Sequence, residues 1–273
     1  MSKRKTRRFL FYISMLLATG VIIITGVAML SYSRKDTLEP QGGNLFADTG
    51  EGVYIEQLRL GNGNNYGRSD SISVFVYRGR IYVRNEWSPL SMDVVKQLLG
   101  KKVGTTKDSL TDWTNSSISS DLLPSNLGVS SIYMMSGYDW RFRLMSFDEE
   151  TQTGWMYECL NNVYITDGEC LFREFGLQDN IESVTYQTLE EWNASSDVFH
   201  ELSLDEEFQD FMDSLYRAKL VDYGRDTIPN LYEKDRLIYY ITMKDQTVNE
   251  IIVFDETYVT YRNLGAYYVF DLQ

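Results

Sequence analysis

Few side chains in this 273-residue chain are suited to chemistry, and they are scattered. There is one histidine, His200, and there are two cysteines, Cys159 and Cys170. A serine, cysteine or zinc mechanism that leans on several imidazoles is therefore excluded, and no H-E-x-x-H, C-x-x-C, G-x-S-x-G or EF-hand loop occurs. His200 stands in "DVFHELSLDEE" and reads as a surface or capping residue rather than a general base. Cys159 in "YECLNN" and Cys170 in "DGECLF" sit beside acids that disfavour the thiolate. Their eleven-residue spacing leaves two alternatives open, a local Cys159–Cys170 disulfide or two separate thiols. "GNGNNYG" has glycines at 61, 63 and 67, one residue too far apart for G-x-G-x-x-G, and it leads into a strand rather than a helix.

Carboxylates are the remaining reactive groups. Neighbours such as Glu190-Glu191 and Asp148-Glu149 can run glycosidic cleavage when two acids stand about 5 to 9 Å apart. With 39 acids in the chain, adjacent pairs arise by chance. No catalytic, cofactor-binding or metal-binding residue is assigned, and no cofactor is implied. Aromatics are the stronger signal: 20 Tyr, 13 Phe and 5 Trp, 14% of the chain. Tyrosine and tryptophan stack on sugar rings and peptides. Strands also favour them for packing, and "YYIT" and "AYYVF" alternate as packed strands do. Two functions fit: a non-catalytic module that binds a protein, peptide or wall glycan, and an envelope enzyme of the wall-glycan hydrolase type using a carboxylate pair.

The elements that position these residues follow from periodicity. "SISVFVYRGRIYVRNEW" is two β-rich runs meeting at Arg78-Gly79, a tight hairpin signal. "SMDVVKQLLGKK" places Met92, Val95, Leu98 and Leu99 on one helical face, with Gly100 as the stop. "WRFRLMSF" and "GWMYECL" form a hairpin, so Cys159 closes a strand; "GECLFREFG" is a short helix that Cys170 opens and Gly176 ends. Beyond residue 180, "IESVTYQTL" is a strand. "SLDEEFQDFMDSLYRAKLVD" predicts a helix over Ser203–Asp222, with Ser203 and Glu206 as a capping box and Phe208, Phe211, Met212 and Leu215 as its buried stripe. A meander follows, with a hairpin around "KDQT" and then "YVTYRN" and "AYYVFDL". The expected fold class is α+β: two small antiparallel-sheet units, 51–179 and 180–273, each with packed helices.

"VYRGRIYV", "LLGKKVGT", "GYDWRFRLMSFDEE", "YECLNN" and "GECLFREFGLQDNIESV", with the later helix and meander, carry a resemblance. They look like the extracytoplasmic part of uncharacterised single-pass membrane proteins of clostridia and related Gram-positive bacteria. The resemblance covers about residues 70–273 and implies an architecture and a compartment, with no activity and no site residues. Scarce cysteine outside a membrane agrees with such a source.

The first thirty residues address the compartment directly. Phe9 to Leu30 is 22 residues without a charge, a helix of about 33 Å against a hydrocarbon core of about 30 Å. Lys3, Arg4, Lys5, Arg7 and Arg8 precede it, and Arg34 and Lys35 follow, offset by Asp36 and Glu39. The positive-inside rule then gives a cytoplasmic tail over 1–8, a transmembrane helix over 9–30 in the lipid bilayer, a flexible tether over 31–50 and an extracytoplasmic remainder. The competing reading is a signal peptide cut after Ser33. Seven of the 26 basic residues and no acidic ones fall in 1–35, leaving 19 against 39 and a net charge of −20 in residues 36–273. Such a surface repels phosphate backbones, which excludes a nucleic-acid partner.

Overall fold

The structure, a computed structural model, describes residues 52–58, 72–85, 89–110, 121–177, 179–223, 230–264 and 268–273. The expected span Phe9–Leu30 and the tether lie outside the described residues. Among the described residues no helix is long and apolar enough to cross a membrane.

Strand β1 (Val53–Ile55) comes first, followed by β2 (Val74–Tyr77), β3 (Arg80–Arg84) and helix α1 (Met92–Leu98). The chain continues through β4 (Leu99–Asp108), β5 (Leu122–Ser125), β6 (Ser131–Met135), β7 (Arg143–Asp148) and β8 (Thr153–Glu158). Strands β2 to β8 close into a barrel in the order β2-β3-β8-β7-β6-β4-β5. Every pairing in it is antiparallel except β4 with β5, and the ring is shut where Phe75 of β2 meets Ser125 of β5. The β2–β3 hairpin turns through Arg78 and Gly79, with φ of 52° and 75°, the two positive values that a type I′ turn needs. Alternation sends Phe75, Tyr82, Leu144 and Tyr157 into the barrel, while Met145, Phe147 and Met156 point outward and receive Val94, Val95 and Leu98 of α1.

Next, β9 (Val163–Ile165) pairs with β1 in a small separate sheet, and α2 (Gly168–Phe172) follows. The second half contains β10 (Ile181–Thr188), α3 (Leu189–Asn193), β11 (His200–Leu202), α4 (Glu206–Arg217) and β12 (Lys219–Asp222). It ends with β13 (Arg236–Met243), β14 (Val248–Phe254), β15 (Tyr258–Tyr261) and β16 (Tyr268–Asp271). These seven strands build one sheet in the order β11-β10-β13-β14-β15-β16-β12, with every pairing antiparallel. One face of that sheet, with Val184, Ile241, Ile251 and Val259, buries α2 and α4 together with Val163 and Ile165 of β9.

The fold is therefore mostly β and barrel-containing, which corrects the expected pair of α+β units. Closure was hidden in "LGKKVGTTKD", a ten-residue strand too polar and glycine-rich to read as one. Helix boundaries also need correction. Helix α1 stops at Leu98, and Leu99, expected on its buried face, opens β4 and is 36% exposed. Helix α4 is capped by Asp205, whose carboxylate accepts from the Phe208 amide at 3.2 Å, in place of the Ser203–Glu206 box. It ends at Arg217, because residues 219–222 are taken by β12. Its buried stripe is Phe208, Met212 and Leu215; Phe211 is half-buried and meets Tyr239 edge-on at 5.9 Å. Gly168 fixes how closely α2 approaches α4, since a Cβ there would collide with the Leu215 carbonyl.

This packing gives a graded expectation for α4. Met212→Ala should cost about 2 to 5 kcal/mol, whereas Asp210→Ala, on the exposed face, should cost less than about 0.5. Urea titrations of both variants with equal midpoints would show that the stripe is misplaced.

Candidate functional site

A dense, buried polar cluster lies where the barrel meets the seven-stranded sheet. In β7, Arg143 shares the outward face with Met145 and Phe147; in β8, Glu158 shares it with Met156. The two are direct partners across the hairpin. Arg143 is fully buried and Glu158 is 1% exposed, an arrangement that is stable only when both charges are compensated. Glu158 Oε1 accepts from Arg143 Nε at 2.9 Å and Nη2 at 2.6 Å. The opposite layer adds hydrogen bonds to the pair, although Arg143 Nη1 and Asn249 Nδ2 stay buried without a partner among the described residues. The Tyr261 hydroxyl donates to the Glu158 carboxylate at 2.8 Å, Asn263 Nδ2 donates at 2.7 Å, and Arg143 Nη2 also reaches Asn249 Oδ1. The guanidinium lies 4.8, 5.0 and 4.7 Å from the ring centres of Tyr138, Phe142 and Phe175. Burial pulls the Arg143 pKa down, and the Glu158 carboxylate together with Tyr138 and Tyr261 more than offsets it, so the net shift is upward. Burial, reinforced by Glu158, pushes the Tyr261 hydroxyl well above its ordinary value. Arg143 is thus held charged and Tyr261 neutral, and the cluster ties the two layers together.

Beside this cluster opens a cleft of about 450 Å³. Its barrel side is made by Asn85 after β3, Pro89, Leu90 and Ser91 before α1, Asp93, Val94 and Gln97 of α1, and Met156 of β8; Gln246 and Val248 supply the sheet side. Local bonds set its shape. The Leu90 amide donates to the Gly154 carbonyl at 2.8 Å, and Ser91 caps α1. Asn85 Nδ2 reaches the Tyr261 hydroxyl at 3.4 Å, tying the cleft to the buried cluster. On the sheet side, Tyr138 donates to Asp245 Oδ2 at 2.7 Å, which steadies the β13–β14 turn that carries Gln246. The lining thus combines three amides, a hydroxyl and one carboxylate with an apolar wall of Leu90, Val94, Met156 and Val248.

The residues singled out in the sequence lie elsewhere. Cys159 and Cys170 are both free thiols. Cys159 is in the barrel interior, while Cys170 packs on the core under the second sheet. Burial raises both thiol pKa values, so neither is an activated nucleophile. His200 stacks on Tyr186 with ring centres 5.0 Å apart, and its Nε2 lies 2.8 Å from Glu191 Oε1. Glu191 closes a capping box with Thr188 at the start of α3, and Glu190 is exposed. Asp148 shapes the β7–β8 turn by accepting from the Glu150 amide at 2.8 Å. Neither acid pair reaches the cleft, whose one acid is Asp93. Phe9 and Leu30, the ends of the expected span, lie outside the described residues. Among the described residues no group of three or more His, Cys, Asp or Glu side chains could hold a metal ion.

Arg143, Glu158 and Asn249 were not found from the sequence. A signal existed in the hairpin: counting back from the "DEETQTG" turn puts an arginine opposite a glutamate on a face otherwise apolar. Comparison with protein-family profiles, curated proteins and solved structures found no match for this chain.

Two predictions follow from the bonding. Glu158→Gln leaves a buried unpaired guanidinium and should destabilise the fold by about 3 to 5 kcal/mol. Adding Arg143→Met should recover part of that loss, as a double-mutant cycle by denaturant titration would show; strict additivity of the two losses would sink the ion-pair account. At α3, the Thr188 amide, followed by His200, holds the Glu191 carboxylate at about 2, below its usual 4.5. A depressed acid contributes stability that is present above the unfolded pKa and lost as pH falls through the folded one. Glu191→Gln should therefore melt below wild type at neutral pH, with the difference closing between about 4.5 and about 2. A gap independent of pH would reject this.

Proposed function

We propose that this chain is a non-catalytic binding module, held outside the cell membrane by residues 9–30 and serving as a receptor or accessory subunit in the envelope. The make-up of the cleft carries the reading. Hydrolysis by a carboxylate pair needs two acids facing each other across a substrate, whereas here a single acid, Asp93, stands among amides and apolar walls. Two well-buried acids at the barrel–sheet seam and on the sheet, Glu158 and Glu250, are each bound by an arginine, Arg143 and Arg262. With Gln246 Nε2 donating to Glu182 and Asn85 Nδ2 reaching Tyr261, the Gln97 amide and the Gln246 carbonyl offer uncharged donors and acceptors, which suits an uncharged hydrogen-bonding ligand such as a peptide main chain or a wall glycan. The charge asymmetry around Phe9–Leu30 supports the anchored topology, and the resemblance to single-pass clostridial proteins agrees with it.

The test uses the full chain in native membranes. Crosslinking and capture should return a reproducible partner or wall fragment, and Gln97→Trp, which fills the cleft from an exposed position, should lose it while Asp93→Asn retains it. A reporter fused after Gln273 should be active only outside the cytoplasm. Wall-glycan hydrolysis by the purified protein, abolished by Asp93→Asn, would replace this reading with the enzymatic one.

A further inference from the structure

The two edges of the seven-stranded sheet are finished differently. At β12, the Leu220 amide donates to the Thr166 carbonyl at 3.2 Å and Asp167 bridges to Lys219, so that edge is covered. At the other end the sheet stops: among the described residues β11 pairs with β10 alone. An open edge presents main-chain donors and acceptors to any extended chain of suitable side chains. The surface around β11 is unusual for this molecule. Of the nine large apolar side chains exposed among the described residues, four lie between residues 192 and 204: Trp192, Val198, Phe199 and Leu204. Phe199 is held in place by an edge-on contact with Tyr240 at 5.4 Å, so the patch is built on the sheet.

Charge selects the occupant. Between Thr188 and Phe208 there are seven acidic residues and no lysine or arginine. Glu201, the middle residue of β11, is exposed, as are Asp197 before it and Asp205, the cap of α4, after it. A second copy of the chain would bring its own acids against these, and like charges facing across a strand pair are destabilising. Cationic side chains on the incoming strand would meet Glu201, Asp197 and Asp205 instead.

We propose that the β11 edge docks an extended, cationic segment of a partner protein, which adds to the sheet as an eighth strand and covers Val198, Phe199 and Leu204. Lysine or arginine at alternate positions would face the acids, with apolar residues between them over the patch. This site is separate from the cleft and does not depend on what the cleft binds.

The probe is a short peptide of alternating lysine and valine, titrated against the full chain in detergent micelles. It should bind saturably and more weakly as salt rises. Glu201→Lys should weaken it about threefold to tenfold, since a favourable cross-strand pair becomes a repulsive one. The same charge change at Glu150, exposed on the β7–β8 turn, should leave affinity unaltered. N-methylation of alternate peptide amides should abolish binding by removing the main-chain donors. Equal affinity for the N-methylated peptide, equal losses from Glu201→Lys and Glu150→Lys, or no binding at all would overturn the proposal. A concentration-dependent dimer disrupted by Glu201→Lys would also overturn it, by assigning the edge to a second copy.

Discussion

A single buried ion pair sets the relation between the two halves of this protein. Arg143 and Glu158 face each other across a hairpin on the outside of the barrel, with no solvent exposure at either charged side chain. Two charges removed from water are stable only if the surrounding groups replace the lost hydration. The barrel supplies part of that shell through Tyr138. Further hydrogen bonds come from the second half of the chain: Asn249, Tyr261 and Asn263 all bond into the pair. Docking the sheet is therefore the condition under which the charges can be buried. Apolar contacts alone would tolerate sliding; a doubly hydrogen-bonded ion pair and the directed bonds around it do not.

From that fixed seam the other features follow. Asn85 hydrogen-bonds to Tyr261 at one end and lines the cleft at the other, so the cleft inherits the rigidity of the ion pair. The β13–β14 turn is held to the barrel by Tyr138 through Asp245, which fixes the opposite wall. The sheet's β11 edge is short, acidic and dotted with exposed apolar groups, while the β12 edge is covered by residues beside α2.

The strand and helix content was largely legible. The Arg78-Gly79 turn, the "KDQT" hairpin and the helical period of Phe208, Met212 and Leu215 are local signals, and local signals survive in a single sequence. Barrel closure was not, because it rests on a parallel pairing between β4 and β5 that no short window contains, and because "LGKKVGTTKD" lacks strand-like alternation. The helix expected over Ser203–Asp222 ran too long for a similar reason: no glycine or proline interrupts residues 217–222, and only pairing with β16 makes Leu220 and Val221 a strand. For the site, Arg143 and Glu158 looked like ordinary strand charges. Their burial depends on residues about a hundred positions away, and charge alone does not announce its own desolvation.

That distance along the chain has a temporal meaning. The ribosome finishes the barrel at Glu158, long before it delivers Asn249 and Tyr261. A barrel that formed ahead of the sheet would carry Arg143 and Glu158 hydrated on its surface, and its outward flank would be correspondingly polar until Asn249 and Tyr261 arrived to cover the pair.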